Sequence, residues 1–163
     1  MIINQFKPSI TELAPHIEQA IKDDHDVRIT VTGFSMYPLL RNGSDDVVLT
    51  KPQNLKKYDV VLFKRQNGDY IFHRIIKIKN GVFTIAGDNE TIKEYPVTKD
   101  AVIAVMKSFS RLGKPYSISK IWYKIYCRIW VFIFPIRPFA AKLFYVFART
   151  LRKIKGAFCH KKA

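Results

Sequence analysis

Three Asn-Gly dipeptides, at 42–43, 67–68 and 80–81, constrain the fold of this chain more than any other feature. Asn-Gly accepts the positive φ angles that a tight β-hairpin turn demands, and each dipeptide here is bounded by runs of β-branched and aromatic residues. "VRITVTG", "DDVVLT", "YDVVLFKR", "DYIFHRIIKIK", "GVFTIAG" and "AVIAVMKSF" follow one another between residues 27 and 109. Short strands joined by tight turns predict a mainly β (α+β) fold: an antiparallel, barrel-like coiled β domain. Ahead of it, Ile10, Leu13, Ile17, Ala20 and Ile21 share a stripe at helical spacing, which predicts an N-terminal helix over about residues 9–23. Its start is open between two signals. Ser9 and Glu12 have capping-box spacing, whereas Ala14 before Pro15 would set the proline at the first helical position.

Charge divides the chain in two. All 13 acidic residues and 14 of the 28 Lys/Arg lie in residues 1–106, while residues 107–163 hold the other 14 basic residues and no acid. A near-neutral domain, residues 1–112, is therefore expected to carry a basic, aromatic helical tail, residues 113–163. The longest uncharged run of that tail, Ile129–Ile136, falls short of the ~20 residues of a spanning helix, and Pro135 and Pro138 interrupt it. Two basic amphipathic helices on an anionic membrane surface, within residues 114–163, are expected, with a re-entrant or short spanning hairpin as the second arrangement and a helical pair docked on the β domain as the third. Lys and Arg flank the apolar stretch on both sides, so no membrane face is indicated. No nucleic-acid motif or stacking sheet accompanies the charge, and no nucleic-acid partner is expected. Cys127 and Cys159 make neither CxxC nor metal-ligand spacing, so free thiols, no metal and no cofactor are expected. The N-terminus shows no basic region followed by an apolar run of the secretory type.

Within "TVTGFSMYPLL", Ser35 ends a β-rich run, and a serine becomes a nucleophile only beside a base. Of the four histidines, His16 falls on the predicted helix, His25 in the acidic turn that ends it, and His160 near the C-terminus. His73 lies mid-strand in "YIFHRIIKIK". Counting outward from the Asn80-Gly81 turn sets His73 opposite Asp88, and the same count at Asn67-Gly68 sets Leu62 on its other flank. A bulge near Gly87 would shift this register by one. A carboxylate facing a histidine holds one ring nitrogen as a donor and leaves the other to accept a hydroxyl proton.

"GFSMYPLL", "YDVVLFKR", "IFHRII" and "FTIAGDNE" stand in the order and spacing of the blocks of type I signal peptidases. Over about residues 29–106 the chain resembles the endoplasmic-reticulum-type (Ser/His) branch of that family, within the signal peptidase/LexA-like serine peptidase group. The resemblance implies Ser35 as nucleophile, His73 as general base and Asp88 as acidic partner, with Met36 near the substrate pocket. The branch carries a further aspartate several residues after its Gly-Asp-Asn block; here Glu94, and more distantly Asp100, are the candidates for a second acidic partner. Gly33 offers no hydroxyl, so an oxyanion hole would rest on the Ser35 backbone N–H and the Thr32 side chain.

The expected activity is that of a serine endopeptidase cleaving a signal or leader peptide from a precursor, with small side chains before the cut. The family usually has an N-terminal membrane anchor, not seen in this sequence, so a cytoplasmic-side peptidase trimming a small modified or exported peptide is the second enzymatic reading. A non-catalytic β binding module tethered to membranes is the reading from another class, with Ser35 as a turn residue and His73 as a structural one. The related repressor-type self-cleaving peptidases share the fold. They would need a lysine at the position of His73, and Arg74 and Lys77 are poor substitutes.

Overall fold

The structure, a computed structural model, describes residues 10–139. In chain order its elements are α1 (Ile10–Lys22), β1 (Val27–Thr30), β2 (Asp45–Thr50), β3 (Val60–Lys64), β4 (Tyr70–Lys79), β5 (Val82–Ala86), β6 (Glu94–Val97), β7 (Val102–Arg111), β8 (Lys114–Ser117) and α2 (Ile121–Phe132). The strands form one antiparallel sheet in the order β1-β2-β7-β3-β4-β5-β6, with β8 on β7. The path ends at β1 and β6 without closing, so the sheet coils but is not a closed barrel.

All the anticipated strands are present, and two more join them. β6 ("EYPV") and β8 ("KPYS") are short and each contains a proline, which has no N–H for a ladder and suits an outer position. The predicted helix forms with Pro15 inside it, so the alternative start at Pro15 is not used. Its inner stripe of Ala14, Ile17 and Ile21 is buried on the sheet.

The coiling buries both faces of the central strand. Val60 and Leu62 of β3 enter a core shared with α1, β2 and α2, while Val61 and Phe63 enter a second cluster with Ile75, Phe83, Ile85 and Val102. This explains why β3 reads as a continuous apolar run instead of an alternation.

The chain divides into two compact units, residues 1–131 and 132–163. The division expected after residue 112 falls inside the first unit. β8 pairs with β7, and Tyr123 and Cys127 of α2 are buried in the first core, so the tail's first helix is a structural part of the β domain. Cys127 is a free, buried cysteine. No helix among the described residues is long and apolar enough to cross a membrane. Residues 140–163 of the expected tail, with Cys159 and His160, lie outside the described residues.

Candidate active site

Ser35 lies in the loop between β1 and β2, and this loop is fastened at both ends. Val31 N–H donates to the Asp45 carbonyl and Gly43 N–H to the Val31 carbonyl, both at 2.8 Å. Inside the loop, the fully buried Asp45 carboxylate accepts from Arg41 N at 2.9 Å and from Arg41 NH2 at 3.0 Å. Gly33 supplies the reversal before the serine with φ +91°, which an L side chain rarely adopts. The Ser35 carbonyl then accepts the Asn89 N–H at 2.7 Å, tying the serine loop to the segment after β5.

Gly87 is the seam between that loop and His73. A β-carbon added there would stand 2.7 Å from the Ser35 carbonyl oxygen, 3.1 Å from His73 Nε2 and 3.0 Å from Glu90 Cγ. Only glycine allows the serine loop, the imidazole and Glu90 to approach so closely. A small apolar pocket opens beside Ser35, walled by Val31, Met36, Val47 and Phe72 and by Leu13 of α1.

His73 is buried mid-strand in β4, opposite Val61 of β3. Successive side chains of a strand point to opposite faces, so His73 and Arg74 have different surroundings. His73 Nδ1 lies 3.1 Å from Glu94 Oε1. A carboxylate only accepts, so Nδ1 donates to it, and in the neutral imidazole Nε2 then keeps its lone pair. Glu90 Oε1 stands 3.6 Å from that Nε2. Behind Glu94, Arg65 Nε donates to Oε2 at 2.7 Å and NH2 to Oε1 at 2.9 Å, a two-pronged contact that fixes the carboxylate plane. Burial pushes the His73 pKa below its ordinary 6.5, outweighing the opposite pull of Glu90 and Glu94. The shift favours the neutral form of the imidazole.

Asp88 does not face His73. The Asn80-Gly81 turn forms as expected, with φ 51° and 74°, and its register holds for Lys79↔Val82, Ile78↔Phe83 and Lys77↔Thr84. A bulge at Ile76 then shifts the ladder by one, giving Ile75↔Ile85 and Arg74↔Ala86. The other flank moves likewise, because the loop at Asn67-Gly68 spans Arg65–Asp69, with Arg65 N–H on the Asp69 carbonyl, and pairs Leu62 with Phe72.

With the shift, Asp88 meets the neighbouring strand residue. Arg74 donates to it through Nε at 2.8 Å and NH2 at 2.7 Å, both residues being buried. α2 completes this cluster. Tyr126 OH donates to Asp88 Oδ2 at 3.0 Å and Trp130 Nε1 to the Asp88 carbonyl at 2.8 Å. Arg74 NH1 donates to the Tyr58 carbonyl and to Tyr123 OH and approaches Cys127 Sγ. Burial raises the pKa of Tyr123 and Tyr126 well above the ordinary tyrosine value, keeping both phenols protonated.

The structure therefore brings the Ser35 carbonyl and His73 Nε2 together at Gly87, sets Glu94 on His73 Nδ1 and sets Asp88 on Arg74. Met36 is buried beside Ser35 in the pocket wall, and Thr32 and Gly33 line the same pocket. Gly33 N–H is engaged by Asn42 Oδ1 at 3.0 Å. Two contributors were not anticipated, Glu90 and Arg65. Glu90 closes the quoted "FTIAGDNE" block and could have been noticed there; Arg65 has no local signal, because its partner sits on the unforeseen strand β6.

No curated protein matches this sequence. A family model does: residues 5–109, well over half the chain, match the family described as Peptidase S24-like, and the chain belongs to that family of serine peptidase-like proteins.

Proposed function

We propose that this protein is a serine endopeptidase of the signal-peptidase type, removing a signal or leader peptide from a precursor with Ser35 as nucleophile, His73 as general base and Glu94 as the carboxylate that orients the base. The observation that carries the reading is the chain Arg65–Glu94–His73 ending in a neutral Nε2 at the Gly87 seam with Ser35. Ser35 Oγ attacks the scissile carbonyl while Nε2 accepts its proton, and Glu94 stabilises the imidazolium that forms. The same proton passes to the leaving amine, and a water activated by Nε2 hydrolyses the acyl-enzyme. Ser35 N–H and the Thr32 hydroxyl are the donors proposed for the oxyanion, since Gly33 N–H is already bonded to Asn42.

Asp88 acts in this reading by holding Arg74 and the segment that follows Gly87, without touching the imidazole. Histidine at the base position is the feature that favours the endoplasmic-reticulum-type branch over lysine-dependent relatives. Two further features support an extended peptide substrate with a small side chain before the cut. β1 ends the sheet and leads directly into the serine loop, an edge to which a peptide strand could add. The pocket beside Ser35 is small and apolar.

The test is cleavage of a fluorogenic peptide with alanine before the scissile bond by the purified full chain and by its Ser35→Ala variant. Cleavage by the first and none by a folded second is expected. Equal turnover by both, or none by the wild type across a peptide series varied before the cut, would leave the non-catalytic binding module as the better account.

A further inference from the structure

α2 has two faces with opposite chemistry. The inner face, Tyr123, Tyr126, Cys127 and Trp130, is spent on the buried Arg74–Asp88 pair and the first core. The outer face carries Ile121, Ile125 and Ile129 at i, i+4 and i+8, which a helix of 3.6 residues per turn aligns on one side. They are 70%, 48% and 55% exposed. Lys124 and Arg128, also exposed, run alongside them, and Arg128 NH1 caps the Lys124 carbonyl at 3.2 Å. Trp122, 41% exposed, stands at the flank with its ring edge against Phe109 and Tyr116. A solvated helix face is polar and of mixed charge. This one is aliphatic and its charged neighbours on the helix are cations, in a segment without an acid from residue 107 to 163, although Asp59 of the β domain, with Lys56 and Lys57, lines the pocket on the Lys124–Arg128 side.

We propose that the outer face of α2 docks the domain on an anionic lipid surface. The isoleucines enter the boundary between headgroups and acyl chains, Lys124 and Arg128 meet lipid phosphates, and Trp122 sits at the level where amphipathic rings collect. Charge selects this occupant. A second copy of the chain meeting face to face would oppose like cations across a two-fold axis, and a nucleic acid would leave the isoleucine row in water. Because Tyr126 and Trp130 bond Asp88, the docked helix holds the catalytic domain firmly and does not act as a loose tether.

The experiment is co-sedimentation of the full chain with phosphatidylcholine vesicles, with and without phosphatidylserine. The protein should pellet with the anionic vesicles only, and less so as salt screens the attraction. Lys124→Gln with Arg128→Gln, and separately Ile125→Gln with Ile129→Gln, should each lower the partition coefficient by about 10-fold or more. Thermal melting identifies a misfolded variant, and the charge pair, fully on the surface, keeps the test valid if the isoleucine pair melts. Undiminished binding by a folded charge-pair variant would move the dock elsewhere in the chain, against the proposal. Absence of wild-type binding to phosphatidylserine vesicles would also overturn it. A dimer in sedimentation that Ile125→Gln with Ile129→Gln dissolves, without vesicle binding, would assign the face to a second copy. The readout is independent of peptide cleavage, so its failure leaves the peptidase reading untouched, and failure of the peptidase reading leaves this one standing.

Discussion

Glu94 Oε1 stands 3.1 Å from His73 Nδ1, while the aspartate that a symmetric hairpin would have put there is bonded to Arg74 instead. The two carboxylates thus serve neighbouring residues of one strand on opposite faces of the sheet. One orients the proposed base, and the other neutralises a buried guanidinium.

This division predicts opposite results for two amide substitutions. A carboxylate beside an imidazole favours its charged form, so Glu94→Gln should lower the His73 pKa further. Activity that rises with pH as His73 loses its proton should then begin its rise at lower pH, with a smaller plateau. Asp88→Asn should leave the position of that rise in place. A pH–rate profile moved by Asp88→Asn and not by Glu94→Gln would reverse the assignment.

His73→Ala should abolish cleavage, by the ~10²–10⁴ in rate that a general base supplies. His16→Ala and His25→Ala should cleave as the wild type does, since neither histidine is among the residues that line the pocket beside Ser35. Steady-state kinetics on the fluorogenic peptide measure this directly.

Gly87→Ala tests the seam. Its added methyl would collide with the Ser35 carbonyl and crowd His73 Nε2. A displacement of about 1 Å between nucleophile and base costs roughly 10²-fold in rate. Turnover should fall by at least that while the melting temperature shifts by only a few degrees. An active Gly87→Ala protein would contradict the close approach of the serine loop to Gly87 and His73.

Arg74→Met leaves the Asp88 carboxylate buried without its cation, and breaking a buried pair from one side costs about 3–5 kcal/mol. Trp130→Phe removes the indole N–H bond to the Asp88 carbonyl, worth about 0.5–1.5 kcal/mol, and keeps an aromatic ring beside Tyr126. Denaturant titration should rank the two in that order.

A chain ended after residue 131 should fold, whereas one ended after 113 should not. The shorter form loses β8, Tyr123 and Cys127 from the core and strips the helix from Arg74. Far-UV circular dichroism and a cooperative thermal transition distinguish the outcomes, and a stable 1–113 fragment would restore the domain boundary near residue 112.

The sequence by itself determined the class of fold, the N-terminal helix and the six principal strands, and it singled out Ser35 and His73, on which the proposed mechanism rests. These follow from local chemistry: β-branched runs, Asn-Gly turns, and a histidine where no local role required one. Tertiary structure alone decided which carboxylate meets which cation. A single bulge at Ile76 moves every pairing beyond it by one residue, and nothing local in "HRIIKIK" announces it. β6, which brings Glu94 to His73 and Arg65, is too short and too proline-marked to be read as a strand before its neighbours exist. α2 was legible as basic, aromatic and helical. Its attachment to Arg74 and Asp88 was not, because hydrogen bonds from a helix to a buried ion pair 38 to 53 residues away in the chain are specified only when the strands that bury the pair have closed.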